Sequence, residues 1–502
     1  MRKSGVLMHI TSLPSEYGVG TMGKAAYDFL DFLHDAGQSY WQILPVAPTG
    51  YGDSPYQTTS TFAGNPYFID LDMLEEEGLL SKKDYADKNW GDNPELADYG
   101  KLYEQRTDVL GIAADNFLKN PTGKYAEFKE KNSCWLDDYA LFTAIKKERG
   151  QRPWNEWPEA LKVREKDALS KFEKEHATEV ERNKVIQYFF ADQWKKLHEY
   201  ANQKEIQIIG DVPIYCAYDS VECWAHPELF LLDENLSLKE VAGCPPDAFA
   251  EGGQRWGNPL YDWDYHGKTK YEWWIGRIFY LCRLYDVLRI DHFRGFDSYY
   301  AIPAEREDAR VGEWREGPGI KLFRALENRY GKQKIIAEDL GFLTDSVRKL
   351  LKDSGFPGMK ILQFGFDIRE GSHSDYLPHR YVEKCIAYTG THDNDTINGW
   401  IEDADDNIRQ CACEYLNIDD IKAANIAAMK ALWASPAGIA IVQAQDLLGL
   451  GSASRMNIPA IPDGNWRWRA KSGAFTEDMA KQLNRLMLLY ERRPDELTEE
   501  EQ

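Results

Sequence analysis

Three things are scarce in these 502 residues, and each scarcity removes a class of function. Cationic side chains are outnumbered, 60 Lys and Arg against 82 Asp and Glu, which leaves a formal net charge of −22. A surface of that sign repels phosphate backbones and anionic headgroups, so neither nucleic acid nor membrane is an expected partner. Cysteine is sparse and unpatterned. Cys134, Cys216, Cys223, Cys244, Cys282, Cys385, Cys411 and Cys413 contain no C-x-x-C pair, and no zinc signature appears among the ten histidines. Ordinary thiols of a reducing compartment are expected, with no bound metal. Long apolar runs are missing as well. The basic start, residues 1–10, is too short in its apolar part for a signal peptide and reads as a first strand. The most apolar later stretch, 431–445, is broken by Pro436 and two Gln. A cytoplasmic location is the expectation.

A phosphate-binding loop of the Walker type is absent, as are internal repeats and low-complexity segments. Gly18-Val19-Gly20-Thr21-Met22-Gly23 does match G-x-G-x-x-G. However, Pro14 lies between the preceding strand and the first Gly, and the second strand ends in Pro45-Val46 instead of a ribose-binding acid. No nucleotide or other organic cofactor is expected.

What the chain has in abundance is aromatic: 16 Trp, 28 Tyr and 21 Phe. Many of these lie in polar, Gly- and Pro-rich loops, as in Tyr51-Gly52-Asp53-Ser54-Pro55-Tyr56-Gln57 and Gln254-Arg255-Trp256-Gly257-Asn258-Pro259. Flat rings beside amide and hydroxyl groups suit sugars, which combine apolar C–H faces with edge hydroxyls. A loop tryptophan packed inward as an anchor is the commoner arrangement, so no single ring carries the argument.

Eight short apolar runs punctuate the sequence, at 5–11, 40–46, 206–214, 287–293, 334–340, 359–366, 385–391 and 438–445. Helix-period stretches separate several of them, the alternation of a (β/α)8 barrel with a parallel sheet. Two gaps are too long for simple connections, so 47–200 and 215–285 are expected to fold as inserted regions over the barrel mouth. The charged tracts 127–131 and 159–182 read as solvated helical faces.

Three runs close on carboxylates: Arg289-Ile290-Asp291-His292, Ala337-Glu338-Asp339 and Thr391-His392-Asp393-Asn394-Asp395. One acid at a strand end is usually a solvated loop residue or a helix cap. Three in succession, with Arg and His interleaved, point to one shared site at the barrel's C-terminal face. Arg289 and Asp291, two apart on a strand, share a face. The cation should keep Asp291 ionised, while Glu338, offered by a run of Ile and Ala, suits a protonated role.

With Ser12-Leu13-Pro14, Trp41-Gln42-Ile43-Leu44-Pro45, Ser54-Pro55-Tyr56-Gln57, Gly210-Asp211-Val212-Pro213, Cys244-Pro245-Pro246-Asp247, Trp256-Gly257-Asn258 and Arg455-Met456-Asn457 in the same order, the chain resembles the 4-α-glucanotransferases called amylomaltases or disproportionating enzymes. The likeness covers essentially the whole chain. It implies one catalytic barrel over 1–502, without the C-terminal β-sandwich of ordinary α-amylases. It implies Asp291 as nucleophile, Glu338 as general acid/base and Asp393 as transition-state stabiliser. It further implies sugar-binding roles for Tyr56, Asp211, Asp247, Gln254, Trp256, Asn258, Arg289, His292 and His392, with maltooligosaccharides and α-1,4-glucans as substrates. An α-glucan hydrolase using the same carboxylates with water as acceptor is the alternative enzyme. A non-catalytic glucan-binding barrel is the alternative outside enzymes, and the three intact acids argue against it. The oligomeric state is not readable.

Overall fold

The computed structural model describes residues 2–50, 52–246, 251–341, 343–366, 374–461 and 463–493. Twelve strands among them form two sheets. In chain order they are β1 (Lys3–Leu7), β2 (Tyr40–Gln42), β3 (Gln207–Val212), β4 (Glu240–Cys244), β5 (Gln254–Pro259), β6 (Val287–Ile290), β7 (Ser298–Pro303), β8 (Glu313–Glu316), β9 (Ile335–Ala337), β10 (Gly358–Ile361), β11 (Cys385–Tyr388) and β12 (Ile439–Gln443).

Eight of them run parallel in the order β10-β11-β12-β1-β2-β3-β6-β9. The two ends meet where Ala337 N donates to Pro357 O at 3.0 Å, so the sheet curls into a ring. These eight strands match the eight apolar runs of the sequence. Sequence and structure agree for a simple reason: parallel barrel strands are covered on both faces, so they are written as short runs of Ile, Val, Leu and Ala. Residues 287–290 are all buried, as are 385–388.

Between β2 and β3 the chain builds three long helices, Tyr99–Leu118, Gly123–Glu148 and Ala177–Gln203. The last of these also serves the barrel, because Trp194 Nε1 reaches Leu284 O at 3.1 Å. The charged tract 127–131 lies on the second helix, where Lys131 and Glu127 pair across one turn at 3.6 Å.

The remaining four strands make an antiparallel sheet in the order β5-β4-β7-β8. Spacing in the sequence points only to 215–285 as the region outside the barrel here. The structure adds the hairpin β7–β8, which follows β6 directly, so the small sheet is assembled from two separate segments. After β12 the described residues hold only helices and loops. At the glycine motif, 18–23, a carboxylate sits where the motif would cradle a phosphate: Thr21 Oγ1 donates to Asp70 Oδ2 at 2.5 Å, and a Cβ on Gly23 would lie 2.0 Å from that oxygen. No helix among the described residues is long and apolar enough to cross a membrane.

Candidate active site

Register brings the acids together. Strands β3, β6 and β9 are neighbours, with Asp211 opposite Arg289, Val212 opposite Ile290, and Ile290 opposite Ala337. The ladder then continues one step: Asp291 N donates to Val212 O and Glu338 N to Ile290 O, each at 3.0 Å. Asp291 and Glu338 are therefore the next residues on adjacent strands at the C-terminal mouth. Neighbouring strands lie about 4.8 Å apart, so the two carboxyls project from backbone held at that order of spacing.

Beneath them sits a buried ion pair. Arg289 Nη1 lies 2.5 Å from Asp211 Oδ2 and its Nη2 lies 3.2 Å from Asp291 Oδ1. Tyr56, brought in by the loop after β2, donates its hydroxyl to the same Asp211 oxygen at 2.6 Å. Asp211 and Arg289 are only 2% and 3% exposed and do not line the cleft, so they support the acids from below. Glu338 is held in turn by two backbone donors, His292 N at 2.6 Å and Leu340 N at 3.3 Å. The first of these requires His292 to adopt φ 46°, a left-handed conformation that costs a non-glycine residue energy and is tolerated here where it aims an amide at the acid.

Burial pushes the Asp291 carboxyl well above the usual carboxylate pKa; Arg289 pulls it down, while Glu338, Asp211 and Asp393 push it further up. Burial also raises Glu338, against Arg289 and its two backbone donors, which lower it. The sequence suggests an ionised Asp291 beside a protonated Glu338. In the free cleft both are raised, because burial outweighs the pull of Arg289, which is shared with Asp211, and the backbone donors lower Glu338 and not Asp291. The two titrate as a pair. Burial lowers His292 to about 3 and lowers His392 as well, so both rings are neutral near pH 7.

Asp393 stands across the mouth on the loop after β11. Asn457 Nδ2 donates to its Oδ1 at 2.6 Å, His392 Nε2 lies 3.4 Å from the same atom, and Arg455 Nη2 donates to its backbone oxygen. Tyr56 stacks on His392 with ring centroids 4.8 Å apart, and Trp466 packs beside both at 5.9 and 5.7 Å. Trp466 is itself in a left-handed conformation, φ 65°.

The cleft so enclosed measures about 900 Å³ and is lined by Tyr56, Asp291, His292, Glu338, His392 and Asp393 among others. Gln254 and Trp256 also line it, joined by a 3.1 Å bond from Trp256 Nε1 to Gln254 Oε1. Asn258 reaches it too, but its amide is already engaged with Cys216 O and with Gln57 in both directions, so it acts chiefly as a brace. Asp247 lies outside the described residues. The sequence assigned no role to Gln57, Arg455, Asn457 or Trp466; the first three belong to motifs that carry the resemblance, and that was the available signal.

A closed parallel barrel with paired, burial-shifted carboxyls at its C-terminal mouth and aromatic walls defines an enzyme of the glycosidic-bond class. Residues 8–475 match the family model described as 4-alpha-glucanotransferase. A 4-alpha-glucanotransferase of Clostridium butyricum is 48% identical over 97% of this chain and 100% of its own. One from Streptococcus pneumoniae is 45% identical over 98% and 97%. A solved amylomaltase from Streptococcus agalactiae in complex with acarbose superposes with a TM-score of 0.95 at 43% identity, covering 98% of this chain and 100% of that one. The chain belongs to the 4-alpha-glucanotransferase family.

Proposed function

We propose that this enzyme transfers segments of α-1,4-glucan between maltooligosaccharides by a retaining double displacement, with Asp291 as nucleophile, Glu338 as acid/base and Asp393 as transition-state stabiliser. The observation that carries this reading is the register step that sets Asp291 and Glu338 side by side just beyond β6 and β9. Retention needs carboxyls about 5–5.5 Å apart, and strand spacing of about 4.8 Å supplies that order of distance.

In the first half-reaction Asp291 attacks the anomeric carbon while Glu338 gives its proton to the departing glycosidic oxygen. Positive charge grows on the sugar, and Asp393, braced by Asn457, faces it. Ionised Asp291 with protonated Glu338 is the reactive state of this coupled pair, with one proton held between neighbours. In the second half-reaction Glu338 removes a proton from an incoming 4-hydroxyl, which attacks the glucanyl ester on Asp291 and restores an α bond. Aromatic walls hold the acceptor and shield the ester from water. Side chains supply every charge the two steps use, so the reaction needs no metal or organic cofactor. The hydrolase alternative is not favoured, since the curated relatives at these identities are transferases.

Incubation with maltotriose tests the reading. Glucose and a ladder of longer maltooligosaccharides are expected while total reducing ends stay almost constant, with the same rate in the presence of chelator. A steady rise in reducing ends with no product longer than maltotriose would make the enzyme a hydrolase.

A further inference from the structure

Strand β8 reads Glu313-Trp314-Arg315-Glu316, and alternation puts Glu313 and Arg315 on one face and Trp314 with Glu316 on the other. Arg315 is tied to Glu240 by bonds of 2.5 and 2.6 Å on one face. On the other, Trp314 is left 42% exposed, and no other tryptophan among the described residues is as open. A single exposed apolar ring is ordinary on a protein surface, but this one lines the active-site cleft. It is also fixed in place. The Arg294 guanidinium lies 4.0 Å from its ring centroid, and Tyr300 packs against it at 5.2 Å.

The position of this ring in the barrel gives it a side. Tyr56, His392 and Trp466 come from the segments after β2, β11 and β12. Arg294 follows β6 and Leu340 follows β9, the opposite arc of the ring. Leu340, another cleft-lining residue, donates its backbone N–H to Glu338. Glu338 exchanges protons with the oxygen that leaves and the hydroxyl that arrives, so a chain on its side is the leaving or accepting glucan.

We propose that Trp314, oriented by Arg294, is an acceptor-side platform that packs against a distal glucose unit of the α-1,4-glucan entering over Glu338. This rests on the transferase reading above. The test uses α-maltotriosyl fluoride as donor, whose small leaving group keeps the acceptor arm free, with glucose or maltopentaose as acceptor. Trp314→Ala should raise KM for maltopentaose about three- to tenfold, as loss of one aromatic contact implies, and KM for glucose by less than about twofold. Trp314→Phe should fall between wild type and Trp314→Ala, and covers the case in which the alanine variant does not fold. Equal shifts for both acceptors, or no shift for maltopentaose in either variant, would overturn the proposal. A wild-type enzyme that passed the glucanyl group to no sugar acceptor would instead remove the transferase reading.

Discussion

In the barrel, every residue of β6 is buried; in the small antiparallel sheet, Glu313, Trp314 and Glu316 of β8 are exposed. The first sheet fixes atoms by register. Asp291 and Glu338 are placed by hydrogen bonds that continue the ladder, and a one-residue slip would turn both to the wrong side. The second sheet fixes surfaces. Gln254 and Trp256 on β5 and the ring of β8 border the cleft without belonging to the ladder that holds the acids. Changes in the barrel should therefore strike all substrates alike, whereas changes in the small sheet should discriminate between them.

The comparison breaks most visibly at the acids. Asp291→Ala and Glu338→Gln should each lower transfer by on the order of 10³-fold or more, equally for short and long glucans, with the fold intact by circular dichroism. A length-dependent loss would mean that these groups bind chain instead of reacting. One layer down, Asp211→Ala would leave Arg289 buried with only its 3.2 Å contact to Asp291. Stranding half of a buried pair costs about 3–5 kcal/mol, so the denaturant midpoint should fall sharply; an unchanged midpoint would remove the supporting role given to the pair.

The small sheet should answer differently. Trp256 packs edge-on against His292 at 4.8 Å, so Trp256→Ala should weaken use of longer glucans by roughly tenfold while maltotriose turnover falls much less. Uniform loss across chain lengths would assign Trp256 to the reaction centre. The smallest effect concerns stability. Folded-state pKa values of Asp291 and Glu338 are raised, so each acid is costly to the fold above its unfolded pKa, and the cost grows as pH rises through the folded value. Glu338→Gln and Asp291→Asn should therefore raise Tm at pH 7.5 by about a degree or two, with the gain shrinking towards pH 4.5. Equal gains at both pH values would point to packing and not charge.

The barrel was legible in the sequence because strands buried on both faces need unbroken apolar runs, and three of those runs end on acids that the mouth uses. The hairpin β7–β8 was not. Its second strand, Glu-Trp-Arg-Glu, is polar and four residues long, so it carries no periodic signal of its own. The resemblance put Asp211 among the sugar-binding residues, and only the register opposite Arg289 shows it to lie a layer below the cleft. The brace on Asp393 joins residues 64 apart, Asn457 to Asp393, a contact that no local pattern encodes. The expected charge split between Asp291 and Glu338 was incomplete because the backbone donors to Glu338 depend on the left-handed turn at His292.

The central claim is that the register step makes Asp291 the nucleophile and Glu338 the acid/base. It is tested most directly by incubating Glu338→Gln with α-maltotriosyl fluoride and mapping the modified peptide by mass spectrometry. Fluoride leaves without a proton, so the first step should proceed, and loss of the base should let the ester accumulate. The account predicts a maltotriosyl adduct on Asp291. An adduct on another carboxylate, or fluoride release at the wild-type rate with no adduct, would contradict it.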